Sequence, residues 1–346
     1  MLIIIIFISG QICRWCLATY QKVCSEGNCF KGAGGYNPQN TTRQWYDRQA
    51  DLAEEGERGP GGIKGRCVFN SLRSFHNIGQ TPPCIGHDLY EGVIAYDVQL
   101  YLQHMVQVER IIDINEVNSR IKATPLNKRD AANRPKEFKI RKQNSKYEGN
   151  AGSIRILSRI LPFILSEEIK ESVVGEALCK MEEVSQLVSC NKLSRFEIEN
   201  ILHDSVIEYL DIRLNMIEEI GAPPVKPKHH YLSHYSRLFI ELGPLIGLWG
   251  MRMESKHGYF KKCIRTARNF RNLTRTCSQR HQRAQISWYF TGLFPKMLEV
   301  PETSAYGDNT NGQFSRDALF PTFVQVCFLN YWAICLDSSR ILKFSN

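Results

Sequence analysis

The stretch from Lys226 to Arg283 constrains this chain more than any other, because it joins a pair of histidines to a dense run of positive charge. His230 and His234 are four residues apart, and Glu254 follows twenty residues after the second. From Ser255 to Arg283 there are nine Lys and Arg and no Asp or Glu, which equals the formal net charge of +9 of the whole protein. The rest of the chain is therefore balanced in charge.

The segment from Leu245 to about Arg280 contains no proline, and its glycines fall in the first turns, which predicts one long helix. At 100° per residue, a carboxylate would then head a stripe of cations on one face. The members of this stripe are Glu254, His257, Lys261, Arg265, Arg268 and Arg275. Such stripes neutralise phosphates, and a lone carboxylate among them suits a divalent metal. A solvated basic face, with Glu254 paired to a neighbouring cation, is the alternative.

The composition is that of an ordinary globular protein of one or two domains, with 346 residues, 43% hydrophobic and 23% charged. The basic balance indicates a polyanionic partner. The twelve cysteines cluster near the N-terminus and are otherwise scattered. This distribution favours reduced thiols and a metal site over a disulfide framework.

Cys13 and Cys16 form a C-x2-C motif near the start of the chain. Two thiolates at that spacing can bind one zinc ion from a tight turn, but they need two more ligands. Cys24 and Cys29 could complete a local site of four cysteines. The histidine pair described above could complete it instead, because residues i and i+4 of a helix face the same way. Unligated cysteines are the third interpretation.

Two apolar stretches raise the question of a membrane. Residues 1–10 (MLIIIIFISG) resemble a signal peptide, but no Lys or Arg precedes their short apolar core and no small-residue cleavage site follows, so a buried strand is an equal interpretation. Residues 318–336 are apolar but are interrupted by Pro321, Gln325 and Asn330. This second pattern favours a buried strand or helix pair over a membrane span.

The middle of the chain is expected to consist of packing helices and exposed connections. Glycine pairs and mixed charge predict a flexible linker over residues 31–65, and a polar, basic composition predicts an exposed loop over residues 113–150. Leucines and isoleucines at helical spacing predict three helices at residues 153–165, about 167–188 and 194–219.

An amphipathic helix is predicted from about Asp88 to Val106, following a Pro-Pro pair. Cys84 and His87 form a C-x2-H motif just before it. Together with Asp88 and Glu91 they have the composition of a metal or acid–base cluster. Asp88 also suits the N-terminus of a helix for purely structural reasons.

Three segments of the chain resemble animal transposase-like proteins related to CACTA-type cut-and-paste DNA transposons: PPCIGHDLYEGV, KPKHHYLSHY and GPLIGLWGMRMESKHGYFKK. In that class the ribonuclease-H-like DDE catalytic domain shows an ordered signature. An acidic pair is followed by a C-x2-C, a C-or-D-x2-H, two histidines separated by three or four residues, and the catalytic Glu. The V(D)J recombinase and Transib transposases resemble the same order. This chain matches the order at Cys13 and Cys16, then Cys84 and His87, then His230 and His234, and finally Glu254.

The resemblance implies a mainly α fold, with an incomplete α/β ribonuclease-H-like core, a large helical insertion and a zinc-tied helix pair. Residues 1–80 would be a remnant of the catalytic core, 81–225 the insertion, 226–290 the His pair and Glu-bearing helix, and 291–346 an unassigned tail. The resemblance also implies a nuclear protein that binds double-stranded DNA and forms homo-oligomers. It implies no small-molecule substrate and no membrane.

The resemblance further assigns roles to single residues. A structural Zn²⁺ would be bound by Cys13, Cys16, His230 and His234. His229 is a rival for His230, but the i, i+4 spacing on a helix favours His230. The basic stripe, rather than the resemblance, predicts that the contacts to DNA come from Lys261, Arg265, Arg268 and Arg275.

The chemistry implied by the resemblance is phosphodiester hydrolysis and strand transfer by two Mg²⁺ ions on three carboxylates, with Glu254 as one of them. Both catalytic aspartates should precede the C-x2-C, and this chain has no Asp before Asp47. We therefore expect the C-terminal part of a DDE-type transposase that binds DNA and is inactive alone. The alternatives are an intact transposase with a truncated gene model, and a disulfide-bearing secreted or membrane protein.

Overall fold

The structure is a computed structural model that describes residues 11–32, 35–57, 61–268 and 270–290, without the side chains of 251–255 and 288–290. Among these residues the only β-structure is two isolated bridges, Gln11 with Thr19 and Cys16 with Asn40. The expectation of a mainly α fold is confirmed, and a ribonuclease-H-like sheet is not shown in the described part of the chain. The apolar stretches 1–10 and 318–336, and the whole tail from 291, lie outside the described residues.

The described part of the chain contains twelve α-helices, several of them extended by short π- or 3₁₀-helical turns. In order they are α1 (Arg43–Glu54), α2 (Asn77–Gln80), α3 (Ala95–His104), α4 (Ile114–Ala123), α5 (Ala151–Ile164), α6 (Ser166–Glu171), α7 (Gly175–Val188), α8 (His203–Glu219), α9 (Pro227–Leu232), α10 (Tyr235–Leu242), α11 (Met251–Ala267) and α12 (Leu273–Phe290). Residues up to Met251 form one compact unit, and residues from Arg252 form another.

The first unit is built around one buried helical rod. A π-helical turn at Gly86–Ile94 runs directly into α3, which continues into a second π-helical turn at Met105–Glu109. The rod is buried on nearly every side, which is typical of a helix surrounded by others. It packs against α5 and α9, and α5 and α8 both pack against α7. Burial of each of its Val, Leu and Ile side chains contributes about 1.5–3 kcal/mol to stability. Its buried side chains are Leu89, Tyr90, Val93, Ile94, Val98, Tyr101 and Leu102. The predicted helix at 88–106 is therefore present and longer than expected.

The three predicted packing helices are also present. The first is α5, whose N-terminus is capped by the Asn150 side chain accepting the Ser153 backbone N–H at 2.9 Å. The second was predicted as one helix but is interrupted at residues 172–174, so that it forms α6 and α7. The third begins as a π-helical turn at Glu197–Leu202 and continues as α8. Each of α5, α7 and α8 buries an apolar face in the common core.

The segment at 31–65, predicted to be a flexible linker, contains α1. The Thr42 side chain caps this helix by accepting the Trp45 backbone N–H at 3.1 Å. Tyr46 and Ala50 are buried, so the helix has one packed face. The expectation of a linker was wrong over these residues, because a capping Thr and two apolar positions at i, i+4 outweigh the surrounding charges.

The segment at 113–150, predicted to be an exposed loop, contains α4. Asp113 caps it by accepting the Asn115 backbone N–H at 2.7 Å. Val117 and Ile121 lie four residues apart and are buried. The loop prediction was therefore wrong here, since two apolar side chains are enough to anchor a short helix whose other faces are polar.

The long helix predicted from Leu245 to Arg280 is broken in the structure, and that prediction was wrong. After α11 ends, Arg268 adopts a left-handed backbone conformation with φ of 48°, which stops a helix. The Asn272 side chain then accepts the Arg275 backbone N–H at 2.9 Å and so caps the start of α12. The cations predicted to share one helical face therefore lie on two helices and their connection.

Within the second unit, α11 and α12 pack against each other through aromatic rings. Phe260 is buried, and its ring centroid lies 5.7 Å from that of His281 in an edge-to-face arrangement. Tyr259 contacts the same histidine at 6.1 Å, and Cys277 is buried beside them. The apolar side of each helix is thus used for packing, which leaves most of the cations facing outward.

Candidate metal centre

The C-x2-C motif lies in a tight turn that is closed on itself. The backbone N–H of Ile12 donates to the Ala18 carbonyl at 2.9 Å. The Gln11 side-chain amide donates to the carbonyls of both Cys13 and Cys16 at 3.1 Å. These bonds hold the turn so that the two thiols are buried together, with no more than 2% of either residue exposed.

His230 and His234 lie on either side of a break between two short helices. His230 is in α9, and His234 immediately precedes α10, with a turn at Ser233 between them. Their ring centroids are 4.9 Å apart. The spacing of four residues therefore brings the rings together as predicted, although the helix is not continuous.

The four predicted ligands converge. Cys13 Sγ lies 3.3 Å from His234 Nε2, Cys16 Sγ lies 3.1 Å from His230 Nε2, and the two imidazole Nε2 atoms are 3.2 Å apart. All four ligand atoms lie within 4.8 Å of one another. A tetrahedral zinc ion with bonds of about 2.3 Å to sulfur and 2.0–2.1 Å to nitrogen places its ligands roughly 3.3–3.8 Å apart. The predicted convergence is confirmed, and the cluster could hold such an ion.

Hydrogen bonds around the cluster orient its ligand atoms. His230 Nδ1 lies 2.6 Å from the Cys29 carbonyl, so Nδ1–H donates there and the lone pair of Nε2 faces the cluster. The Trp15 backbone N–H donates to Cys13 Sγ at 3.4 Å. The Tyr231 hydroxyl donates to the Ile12 carbonyl at 2.7 Å and joins α9 to the C-x2-C turn. Outer contacts of this kind are typical of metal sites.

The protonation of the cluster suits a metal cation. Burial alone would raise the pKa of the Cys13 thiol, but the hydrogen bond from Cys16 and the nearby His234 hold it well below its usual value. The hydrogen bond with Cys13, together with burial, raises the pKa of Cys16. Burial lowers the pKa of His234, which favours its neutral form. A thiolate and neutral imidazoles are the forms that bind metal, and binding would release the second thiol proton.

His229 is not part of the cluster, because both of its ring nitrogens are engaged elsewhere. Its Nδ1 accepts the Lys226 backbone N–H at 3.0 Å, so its Nε2–H donates to Asp97 Oδ2 at 2.9 Å. Asp97 also accepts from Arg213 Nε at 3.1 Å. Burial alone would raise the pKa of Asp97, but His229 and Arg213 hold it well below its usual value. Of the two rival histidines, the structure therefore brings His230 to the cluster.

The local alternative of four cysteines is not what the structure shows. Cys24 and Cys29 are buried outside the cluster, and Cys29 contributes its carbonyl oxygen rather than its thiol. Burial raises the pKa of Cys24 to about 11, which makes it an inert thiol. All ten described cysteines are free, so the described part of the chain offers no support for a disulfide framework.

Cys84 and His87 lie at the start of the buried rod, as predicted. Cys84 Sγ is 3.0 Å from His87 Nδ1 and accepts the Gly250 backbone N–H at 3.4 Å. Gly250 precedes Glu254 by four residues in the sequence. The Glu254 side chain lies outside the described part of the structure, so its catalytic role and its position relative to this motif stay predictions.

The two carboxylates beside this motif serve as helix caps. Asp88 Oδ2 accepts the Cys84 backbone N–H at 3.2 Å, and burial raises the pKa of Asp88. Glu91 Oε1 accepts the Ala151 backbone N–H at 2.9 Å, at the start of α5. Within the described residues, the only group of three or more His, Cys, Asp or Glu that could hold a metal is the cluster of four ligands above.

The four predicted DNA contacts are all exposed, but they do not form one stripe. Lys261 and Arg265 lie on α11, Arg268 lies in the connection, and Arg275 lies in the first turn of α12. The signal for this break was present at Asn272, a preferred capping residue. Two further contributors, the Gln11 amide and the Cys29 carbonyl, carried no signal in the sequence.

Comparison with protein-family models, with curated proteins and with solved structures finds no match to this chain. None of the described helices has the length and apolar character needed to span a membrane.

Proposed function

We propose that this chain is a DNA-binding protein of the DDE-type transposase class, that one structural zinc ion holds it together, and that it acts in the nucleus. One observation carries the proposal. The motif order of the transposase-like proteins required two ligand pairs, 214 residues apart between Cys16 and His230, to share one ion. Their ligand atoms lie within 4.8 Å of one another, which chance placement of two short motifs so far apart in the sequence would rarely produce.

Zinc is the metal that the donor set favours. Two thiolates and two imidazoles are a common tetrahedral set for Zn²⁺, whereas Mg²⁺ and Ca²⁺ prefer oxygen. Four protein ligands leave no open position for water or substrate, so the ion would be structural. Bound there, it would supply a cross-link between the C-x2-C turn and the α9–α10 segment.

The second unit would supply the contact with DNA. Lys261, Arg265, Arg268 and Arg275 are exposed, and no Asp or Glu lies between Ser255 and Arg283 to compete with phosphate for them. Cations of this kind bind the phosphate backbone, which positions a protein without reading bases. We therefore expect binding of double-stranded DNA with little sequence preference.

We expect that this chain does not cleave DNA. Strand transfer by two metal ions needs several carboxylates, and Glu254 is the one that the resemblance provides. Asp88 and Glu91, the acidic residues nearest to the Cys84–His87 motif, already accept backbone hydrogen bonds at helix starts. Binding without cutting is the expected behaviour.

The test is the salt dependence of binding, measured by fluorescence anisotropy of a labelled DNA duplex with the zinc-loaded full chain. Four phosphate contacts predict a log–log slope of about −3.6. Changing Lys261, Arg265, Arg268 and Arg275 to Glu should abolish binding. A control with the same change of charge, in which Lys122, Lys128, Lys139 and Lys146 become Glu, should keep most of the affinity.

Two outcomes would contradict the proposal. Binding that does not vary with salt, or that falls equally in the control variant, would mean that the four cations are only a solvated face. Reproducible Mg²⁺-dependent nicking that is lost in Glu254→Gln would overturn the absence of cleavage. Circular dichroism of each variant separates a loss of binding from a loss of fold.

A further inference from the structure

Cys84 and His87 form a thiol–imidazole pair that the proposed function does not use. Cys84 Sγ lies 3.0 Å from His87 Nδ1, which is close enough for the thiol proton to pass to the ring. Both residues are half-buried, and partial exposure is typical of reactive rather than structural cysteines. A thiol beside a base has the arrangement of an activated nucleophile.

Backbone groups around the sulfur favour its thiolate form. The Gly250 backbone N–H donates to Cys84 Sγ at 3.4 Å. A methyl group at Gly250 would lie 3.1 Å from the same sulfur, so this close approach of the backbone depends on glycine. The backbone N–H groups of His87 and Asp88 donate to the Cys84 carbonyl at 2.9 and 2.7 Å, which places Cys84 at the first turn of the buried rod. The positive end of a helix further stabilises a negative sulfur.

The charges around the pair are positive on balance. Asp88 Oδ2 accepts the Cys84 backbone N–H at 3.2 Å. Burial raises the pKa of Asp88, while the nearby Arg14 and Lys228 oppose that rise. Lys228 Nζ also donates to the His87 carbonyl at 2.7 Å. Two cations therefore face one carboxylate beside the thiol, and such electropositive surroundings are typical of reactive cysteines.

A buried hydroxyl lies near the thiol. Tyr235 is fully buried, and its hydroxyl has no hydrogen-bond partner among the described residues. Burial raises the pKa of Tyr235 well above its usual value, and the neighbouring Asp88 and Cys84 add to this rise. Because buried hydroxyls are usually hydrogen-bonded, an oxygen atom added to the sulfur is a candidate acceptor for this group.

We propose that Cys84 is a reactive thiol that hydroperoxides oxidise to a sulfenic acid, with His87 as the base. The thiol proton moves to His87 Nδ1, and the thiolate sulfur attacks one oxygen of the peroxide. The S–O bond forms as the O–O bond breaks, so that the sulfur gives two electrons to the peroxide. The leaving hydroxide takes the proton from the imidazolium and departs as water. The inference depends neither on zinc binding nor on DNA binding.

The other accessible cysteines supply a sharp comparison. Cys179 is exposed, but burial of its thiol and the nearby Glu182 raise its pKa. Cys190 is half-buried like Cys84, but its thiol donates to the Gln186 carbonyl at 3.4 Å. If exposure alone set the reactivity, Cys179 would react first. If the adjacent base sets it, Cys84 reacts first.

Alkylation of the zinc-loaded full chain by iodoacetamide at pH 7, followed for each cysteine by peptide mass spectrometry, tests the proposal. We expect Cys84 to react about tenfold or more faster than Cys179 and Cys190, because a free thiol is only a few per cent thiolate at this pH. His87→Gln should slow the alkylation of Cys84 about tenfold and leave the two control cysteines unchanged. Hydrogen peroxide followed by dimedone should place a sulfenic-acid adduct on Cys84.

Three results would overturn the proposal: alkylation of Cys179 at least as fast as that of Cys84, an unchanged rate at Cys84 in His87→Gln, or no dimedone adduct on Cys84. A second zinc ion per chain that is lost in Cys84→Ser would also overturn it, because the pair would then be a metal site. If His87→Gln fails to fold, the ranking of the three cysteines in the unaltered protein still decides. None of these measurements depends on DNA, so their failure is distinct from a failure of DNA binding.

Discussion

The cysteine–histidine cluster and the basic run of the second unit differ in how their residues are held. The cluster is largely buried, and its ligand atoms are within 4.8 Å of one another and oriented by hydrogen bonds from Trp15 and to Cys29. The four cations of the basic run are exposed and lie on two helices and their connection. The ligands of one ion must lie close together in space, whatever secondary structure connects them in the chain. Cations on one helical face, in contrast, require an unbroken helix.

This difference predicts which property, stability or binding, changes when each region is mutated. The cluster joins residues 214 positions apart, so its loss should affect the stability of the first unit as a whole. The basic run is on the surface, so its changes should alter binding while stability stays nearly constant.

The largest effect is expected from Cys16→Ser. Losing one ligand should abolish stoichiometric zinc binding and lower Tm by about 10–20 °C, because the ion's binding energy is folding energy. Cys24→Ser is the matched control, since it also changes a buried cysteine but lies outside the cluster. It should cost about 1–3 kcal/mol and keep the zinc. Metal analysis with thermal denaturation measures both, and equal effects of the two variants would contradict the contrast.

The neighbouring histidines should separate metal binding from packing. His230→Gln should lose the zinc, because its Nε2 lies within the cluster. His229→Gln should keep one zinc per chain and lose about 1–3 kcal/mol of stability, because its hydrogen bond to Asp97 is buried. The two variants are compared by zinc content and by urea denaturation. Loss of zinc in His229→Gln alone would mean that the rival ligand is the true one.

The buried Asp97 should give a defined dependence on pH. Its folded pKa lies below the unfolded value of about 3.9, so its contribution to stability is complete above that value and is lost as pH falls below it. Asp97→Asn should cost about 3–5 kcal/mol at pH 7, because it leaves Arg213 buried without its partner. The difference in the free energy of unfolding between the wild-type protein and Asp97→Asn should stay constant from pH 5 to 8. A difference that shrinks within that range would contradict this assignment.

The smallest effect concerns the break between α11 and α12. Asn272→Ala should destabilise α12 by about 1 kcal/mol, because it removes the side chain that accepts the Arg275 N–H. Asn272→Ser should lose much less, since Ser can also cap. If one continuous helix ran through this position, the same Ala would stabilise it instead. Hydrogen exchange of the α12 amides distinguishes the two cases: faster exchange in Asn272→Ala indicates a lost cap, and slower exchange indicates a continuous helix.

The sequence was sufficient for the cluster because ligand chemistry and motif order name the residues directly. Cys13, Cys16, His230 and His234 were predicted without knowledge of the path between them. The choice between His229 and His230 rested on helix spacing, and the structure explains it differently. A backbone N–H and a buried carboxylate occupy His229, and a backbone carbonyl orients His230. Such partners come from distant parts of the chain and leave no local pattern.

The helices that sequence reading missed have short apolar faces. In α1 and α4 two buried side chains four residues apart are hidden among charged neighbours, and only the capping Thr42 and Asp113 mark their starts. The break at Arg268 was missed because helix periodicity extends smoothly across it, and a left-handed arginine is uncommon. Whether a helix forms or ends at these positions depends on tertiary packing, because the local sequence preferences are weak.

X-ray absorption at the zinc edge, measured on the full chain, tests whether Cys13, Cys16, His230 and His234 bind one zinc ion together. We expect one zinc per chain, with two sulfur ligands at about 2.3 Å and two nitrogen ligands at about 2.0–2.1 Å. No stoichiometric zinc after reconstitution, or a first shell without sulfur, would contradict it.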